Sequence, residues 1–212
     1  MKHFLNMKEE LEEEEIFYNE EPKEKHFENI RKAGESLIEH AYYHMSEFKK
    51  DWHISDDKET IDTDAHFYLN LSIGVELFLK SEFIKQKIDI VDRKKKNKLY
   101  TMSFREIIKN IGKILNVDKE DLEQIKLTLD LIRIRRDTLA HLAHKRYGHY
   151  ADEHRISYVT LLIYDKLGGN KKEIIETLKR NIKNSEVTSG MDYKPLKCIP
   201  SQLINKSKGF FG

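Results

Sequence analysis

An all-α protein, built as an antiparallel helical bundle, is the fold class this sequence predicts, and three observations predict it. Apolar residues recur at spacings of three and four along most of the chain, the period of a helix face. Nine glycines and three prolines in 212 residues are too little punctuation for many short strands. Helix-start signals stand ahead of several of the periodic segments. The length suffices for one substantial core without forcing two. The expected organisation is an acidic N-terminal arm (1–24), a helical domain (25–183) and an irregular C-terminal tail (184–212).

The run EELEEEE (9–15) reads as a solvated helix face or a frayed arm; an acidic cover for a basic site is the functional alternative. Pro22, a residue suited to a first helical turn, opens a long helix to Trp52 whose face carries Phe27, Ile30, Ala33, Leu37, His40, Ala41 and His44. The stretch 51–64 is a polar break. Residues 65–86 (AHFYLNLSIGVELFLKSEFIKQ) are apolar nearly all round, as a central bundle helix is. A basic connection (87–101) follows, in which DRKKKNK is either a phosphate-facing loop or simply exposed. Ser103 and Glu106 in SFRE form a capping box ahead of IIKNIGKIL. Asn116 and Val117 end that helix, and Asp118 with Asp121 starts one that runs to about Tyr147. RYGHYADEH (146–154) is a break; RISYVTLLIYDKL and NKKEIIETLKRNIK are two further helices. In the tail, Leu196, Ile199, Leu203, Phe210 and Phe211 suggest that part of it docks.

The charge balance excludes little. Formal net charge is +1, but residues 1–24 hold nine glutamates against three lysines, which leaves the remainder at about +7 (+1 minus −6). Such a body tolerates nucleic acid without requiring it. Cys198 is the single cysteine, so neither an internal disulfide nor a cysteine-based zinc site is available. With no long apolar run and no signal peptide, the expectation is a protein of the cytoplasm with no membrane partner.

The chemistry concentrates in RRDTLAHLAH (135–144). Leu122, Ile125, Leu129 and Ile132 form a core stripe with spacings 3, 4 and 3, and the next member in that rhythm is Arg136. A guanidinium cannot be neutralised, so at that position it needs anions or a water-filled cleft. His141 lies five residues on, about 140° round an ideal helix. The two therefore suit the edges of a groove, particularly one made by packing this helix on a copy of itself. A second anomaly is Glu76 with Lys80, four apart within the most apolar segment. They satisfy one another at the surface, or Glu76 turns inward to meet Arg136.

Arg136, Asp137, three residues and His141 resemble the R-x(4–6)-H signature of the HEPN superfamily, in which a polar residue usually follows the arginine. VELFLKS resembles the E-x-x-x-K element of many HEPN helices, in the same order along the chain; the resemblance covers roughly 25–165. It implies a four-helix core, a homodimer and, in many members, a metal-independent endoribonuclease of toxin–antitoxin or antiviral-defence systems. By this carry-over His141 is the acid/base residue, Arg136 the phosphate clamp and Asp137 the neighbour that orients one of them. Glu76 and Lys80 support the site, and RNA is the substrate, with an antitoxin or another defence protein as a further partner. Arg135, His144, Lys145, Arg146 and Tyr147 are possible RNA contacts, the tyrosine by stacking on bases. Arg135 also spells R-x5-H with His141, and Ala143 stands where some HEPN toxins carry a tyrosine.

Three alternatives stay open. HEPN modules without activity bind nucleotide, RNA or a partner protein. Arg136 and His141 could serve a purely structural network. A zinc site from His141, His144, His149 and His154 lacks a flanking carboxylate at a known ligand spacing, so no metal and no cofactor are assigned.

Overall fold

A computed structural model describes residues 24–51, 57–92, 100–142, 150–186 and 196–203, with side chains in the fourth helix described as far as Thr138. The acidic arm, the lysine-rich run 93–99, the segment 143–149 and Phe210–Phe211 lie outside the described residues.

The fold is all-α. Its helices are α1 (Glu24–Asp51), α2 (Asp57–Lys85), α3 (Phe104–Asn110), α4 (Lys119–Leu142), α5 (Tyr150–Lys166) and α6 (Lys172–Glu186). The basic connection adds one thing to a purely helical reading. Its two-residue strands β1 (Val91–Asp92) and β2 (Tyr100–Thr101) pair antiparallel, Val91 opposite Thr101. Short 3-10 turns cover Ile111–Lys113 and Ser201–Leu203.

Helices α1 and α2 run antiparallel: Arg31 meets Glu82, Gly34 meets Phe78 and Tyr42 meets Phe67, one number falling as the other rises. Two glycines set how close they come. A Cβ at Gly34 would stand 2.7 Å from the Phe78 amide nitrogen, and one at Gly74 would stand 2.9 Å from the Gly34 carbonyl oxygen. Backbone therefore meets backbone where a larger residue would hold the helices apart. This contact also corrects the expected face of α1. Ala41 of the expected face is buried and Phe27 and Ile30 pack on the core, but Gly34, Ile38, Tyr42 and Met45 are buried as well, while Ala33 and His40 are exposed. Packing on Gly34 turns the helix by about one position from the face that apolar spacing alone selects.

Other boundaries differ from the expectation too. Helix α2 already starts at Asp57, so the polar stretch DKETIDTD belongs to the helix and is not a break. Helix α5 starts at Tyr150, which places His154 inside a helix, 4% exposed. Helix α3 ends at Asn110 and passes into the 3-10 turn, short of the expected end near Leu115. The Ser103–Glu106 capping box is present, the Ser103 hydroxyl accepting from the Glu106 amide at 3.3 Å and Glu106 accepting from the Ser103 amide at 3.1 Å. The Asp118 carboxylate accepts from the Asp121 amide at 2.8 Å at the start of α4.

The core joins α1 to α2 and α6, α2 to α4, and α5 to both α4 and α6. Ile125, Leu129 and Ile132 of the α4 stripe are fully buried. Part of the tail does dock. Asp121, 1% exposed, accepts from the amides of Lys197 and Cys198 at 2.9 and 2.6 Å, and Asp165 accepts from the Ser201 amide at 2.9 Å. Leu196 and Leu203 pack on the core, whereas Ile199 is 53% exposed.

One end of the α1–α2 pair is closed by a sealed ion pair. Arg31 donates to Glu82, and its Nη2 donates to the Gly168 carbonyl at 2.8 Å. Its guanidinium lies 4.9 Å from the Phe78 ring centroid. Gly168 makes this possible. It has φ +74° after α5, and the Gly169 and Gly168 amides donate back to the Tyr164 and Asp165 carbonyls, the Schellman pattern that stops a helix. Tyr164 and Lys171 extend the cluster to Glu35 and Glu39.

Candidate functional site

The most apolar helix, α2, presents Glu76 and Lys80 one turn apart towards α4. On α4 the core stripe runs out after Ile132, and the position that follows it in the helical rhythm belongs to Arg136, 24% exposed in its side chain. The two helices meet through these charges. Lys80 Nζ donates to Glu76 Oε1 at 2.7 Å, and Arg136 Nη1 donates to the other oxygen, Oε2, at 3.4 Å. Arg136 Nε donates to Asp137 Oδ1 at 2.9 Å, with Nη2 of the same guanidinium 2.8 Å from that oxygen. Glu76 thus turns inward to Arg136 while it also holds Lys80, and Asp137 orients the arginine.

Three further residues belong to the cluster and carry no motif. Arg133 Nη1 donates to Asp137 Oδ2 at 2.9 Å, and its Nε donates to Asp130 Oδ1 at 2.8 Å. The hydrogen bond to Asp130 is the main reason the Arg133 guanidinium is pushed above its ordinary pKa. Lys80 Nζ also donates to Thr101 Oγ1 at 3.0 Å, which ties the end of the β1–β2 ladder to the cluster. A signal for Arg133 existed: Asp130, Arg133 and Asp137 alternate in sign at i, i+3 and i+7, one face of a helix. None existed for Thr101, whose contact is made by chain closure through the ladder.

The two adjacent arginines separate cleanly. Arg136 joins the carboxylates, while the Arg135 guanidinium lies 5.4 Å from the ring centroid of Tyr68 on α2. The backbone position of His141 is within α4, but its side chain lies outside the described residues, as do His144, Lys145, Arg146 and Tyr147 entirely.

Chemically, the cluster sets three cations (Lys80, Arg133, Arg136) against three carboxylates (Glu76, Asp130, Asp137), all with partial access to solvent. Its longest contact is Arg136 to Glu76 at 3.4 Å, the one an incoming phosphate would replace most readily. Among the described residues no group of three or more His, Cys, Asp or Glu is placed to hold a metal ion. None of the described helices is long and apolar enough to cross a membrane. No protein-family model, no curated protein and no solved structure matches the chain.

Proposed function

We propose that this chain is a HEPN-type, metal-independent endoribonuclease of the cytoplasm that works as a homodimer, a toxin or antiviral-defence effector. The observation that carries the reading is Arg136. It stands at the solvent edge of the α2–α4 contact, held by Glu76 and Asp137, on the helix that bears His141 five residues on. RNA cleavage by the ribose 2′-hydroxyl needs a group that moves a proton near neutral pH and a cation that meets charge building on the phosphoryl oxygens. A histidine, with an ordinary pKa of about 6.5, does the first. A forked guanidinium, fixed in advance by carboxylates, does the second, and its prior fixing is what makes it effective.

A dimer has its own support on α4. Leu127 and Ile134 are 58% and 42% exposed, with Leu131 half-buried between them. Extending the line 127, 131, 134 by four and three gives the helix positions of Thr138 and His141. A second copy laid along this stripe would cover its apolar part and bring two His141 positions to one groove.

The test is single-stranded RNA incubated with purified protein in EDTA. The expected products carry a cyclic phosphate and a 5′-hydroxyl, and His141→Ala abolishes them with helicity unchanged. Cleavage that persists in His141→Ala would contradict the proposal. One observation favours a second reading, a catalytically silent HEPN module that binds nucleotide, RNA or a partner such as an antitoxin. Lys80, Arg133 and Arg136 are each already matched to a carboxylate. That reading expects binding with no cleavage by any preparation.

A further inference from the structure

A guanidinium that must meet a phosphate has to be held in plane as well as in place, since a misplacement of about 1 Å costs on the order of 100-fold in rate. Arg136 is oriented mainly by one group, the Asp137 carboxylate, through Oδ1. Asp137 is 37% exposed in its side chain, and alone on a helix surface it would rotate freely about its own side-chain bonds. Its second oxygen is what stops that rotation. Oδ2 accepts from Arg133 Nη1 at 2.9 Å, and Arg133 is itself pinned through Nε to Asp130 at 2.8 Å. Asp130, Arg133 and Asp137 lie at i, i+3 and i+7, so the helix supplies the spacing of this brace without help from another element.

We infer that Arg133 is a positioning residue, which fixes Arg136 by bridging Asp130 to the far oxygen of Asp137. The inference rests on the ribonuclease reading for its effect on rate, but not for its effect on Arg136 itself. It also assigns Asp137 a role. With one oxygen on each of two guanidiniums, its carboxylate is an anchor for cations.

Two measurements test this on the full chain. In EDTA, Arg133→Ala should lower kcat about 10- to 100-fold with KM little changed. Arg133→Lys, a point charge that reaches one carboxylate but cannot fork between two, should restore part of the loss. In an Asp137→Ala background, Arg133→Ala should add almost nothing, because the brace has lost the group it acts on. Full additivity of the two changes, or a raised KM with kcat intact, would overturn the inference. The second measurement is proton exchange at the Arg136 Nε–H by nitrogen-15 NMR, which needs no activity. Exchange should quicken about tenfold or more in Arg133→Ala and recover in part in Arg133→Lys, in keeping with the loss of a braced partner. Unchanged exchange in Arg133→Ala refutes the positioning role. Absence of cleavage by the wild-type chain refutes the ribonuclease reading and leaves the exchange result to stand by itself.

Discussion

Helix α2 carries two glutamates that each meet an arginine from another helix, and the two pairs are built for different ends. Glu82, 2% exposed, meets Arg31 of α1 in a sealed setting. The guanidinium there is covered by the Phe78 ring and capped by the Gly168 carbonyl, and burial pushes the Glu82 carboxyl above its ordinary pKa. Glu76, 17% exposed, meets Arg136 of α4 at 3.4 Å in a cluster whose other carboxylates face solvent. The difference lies in what surrounds the same two functional groups. Around Arg31, the Phe78 ring and the Gly168 carbonyl crowd the guanidinium; around Arg136, the partners are the half-buried Glu76 and the more exposed Asp137, which a phosphate could displace. A sealed pair locks a fold, and an open pair has charge to offer.

The first way to break this comparison is to remove one arginine at a time. Arg31→Ala leaves the 2% exposed Glu82 with only Lys85, 3.7 Å away and itself half exposed, and should cost about 3 kcal/mol in urea unfolding. Arg136→Ala, at a partly solvated site, should cost about 1 kcal/mol or less in the same measurement. Equal losses would mean that both pairs are structural.

The second acts on the sealed side alone. Gly34→Ala puts a Cβ 2.7 Å from the Phe78 amide nitrogen and 2.8 Å from the Gly74 carbonyl oxygen, so α1 must move away from α2. The expected cost is about 1–3 kcal/mol by thermal melting, with RNA cleavage per folded molecule kept, since the α2–α4 contact is not touched.

The third uses pH. A carboxyl whose pKa is raised by folding binds its proton more tightly in the folded state. Glu82 therefore contributes stability that is lost as pH rises from the ordinary glutamate range through its raised value. Glu82→Gln should flatten that part of the stability–pH curve. A slope unchanged in Glu82→Gln contradicts the burial assigned to that residue.

The smallest expected effect is on salt dependence. Asp137→Asn should change stability by about 1 kcal/mol or less and make even that loss shrink at high salt, as exposed pairs do. A large salt-independent loss would place Asp137 in the core.

The sequence made one of these pairs legible and hid the other. Glu76, Lys80 and Arg136 stood out because each interrupts an apolar pattern, and a polar group in such a pattern has to find a partner. Neither Arg31 nor Glu82 stood out in the same way, although Glu82 also lies within the apolar segment 65–86. Arg31 sits in the charged run IRKAGE and Glu82 beside Lys85 at a helix end, where both look solvated, and their contact spans 51 residues of chain. The all-α class was legible from periodicity, and the SFRE cap from local hydrogen-bond chemistry. The rotated face of α1 was not, because it depends on Gly34 facing Gly74 across two helices, a relation that no single-helix pattern contains. The early starts of α2 and α5 were missed for a simpler reason: a polar first turn of a helix has the composition of a loop.

The most direct test is to follow Arg136→Ala for RNA cleavage in EDTA and for urea stability on one preparation. The open-pair account predicts a fold within about 1 kcal/mol of wild type and cleavage lowered on the order of 100- to 1,000-fold. Cleavage retained at the wild-type rate by a folded Arg136→Ala chain would contradict it.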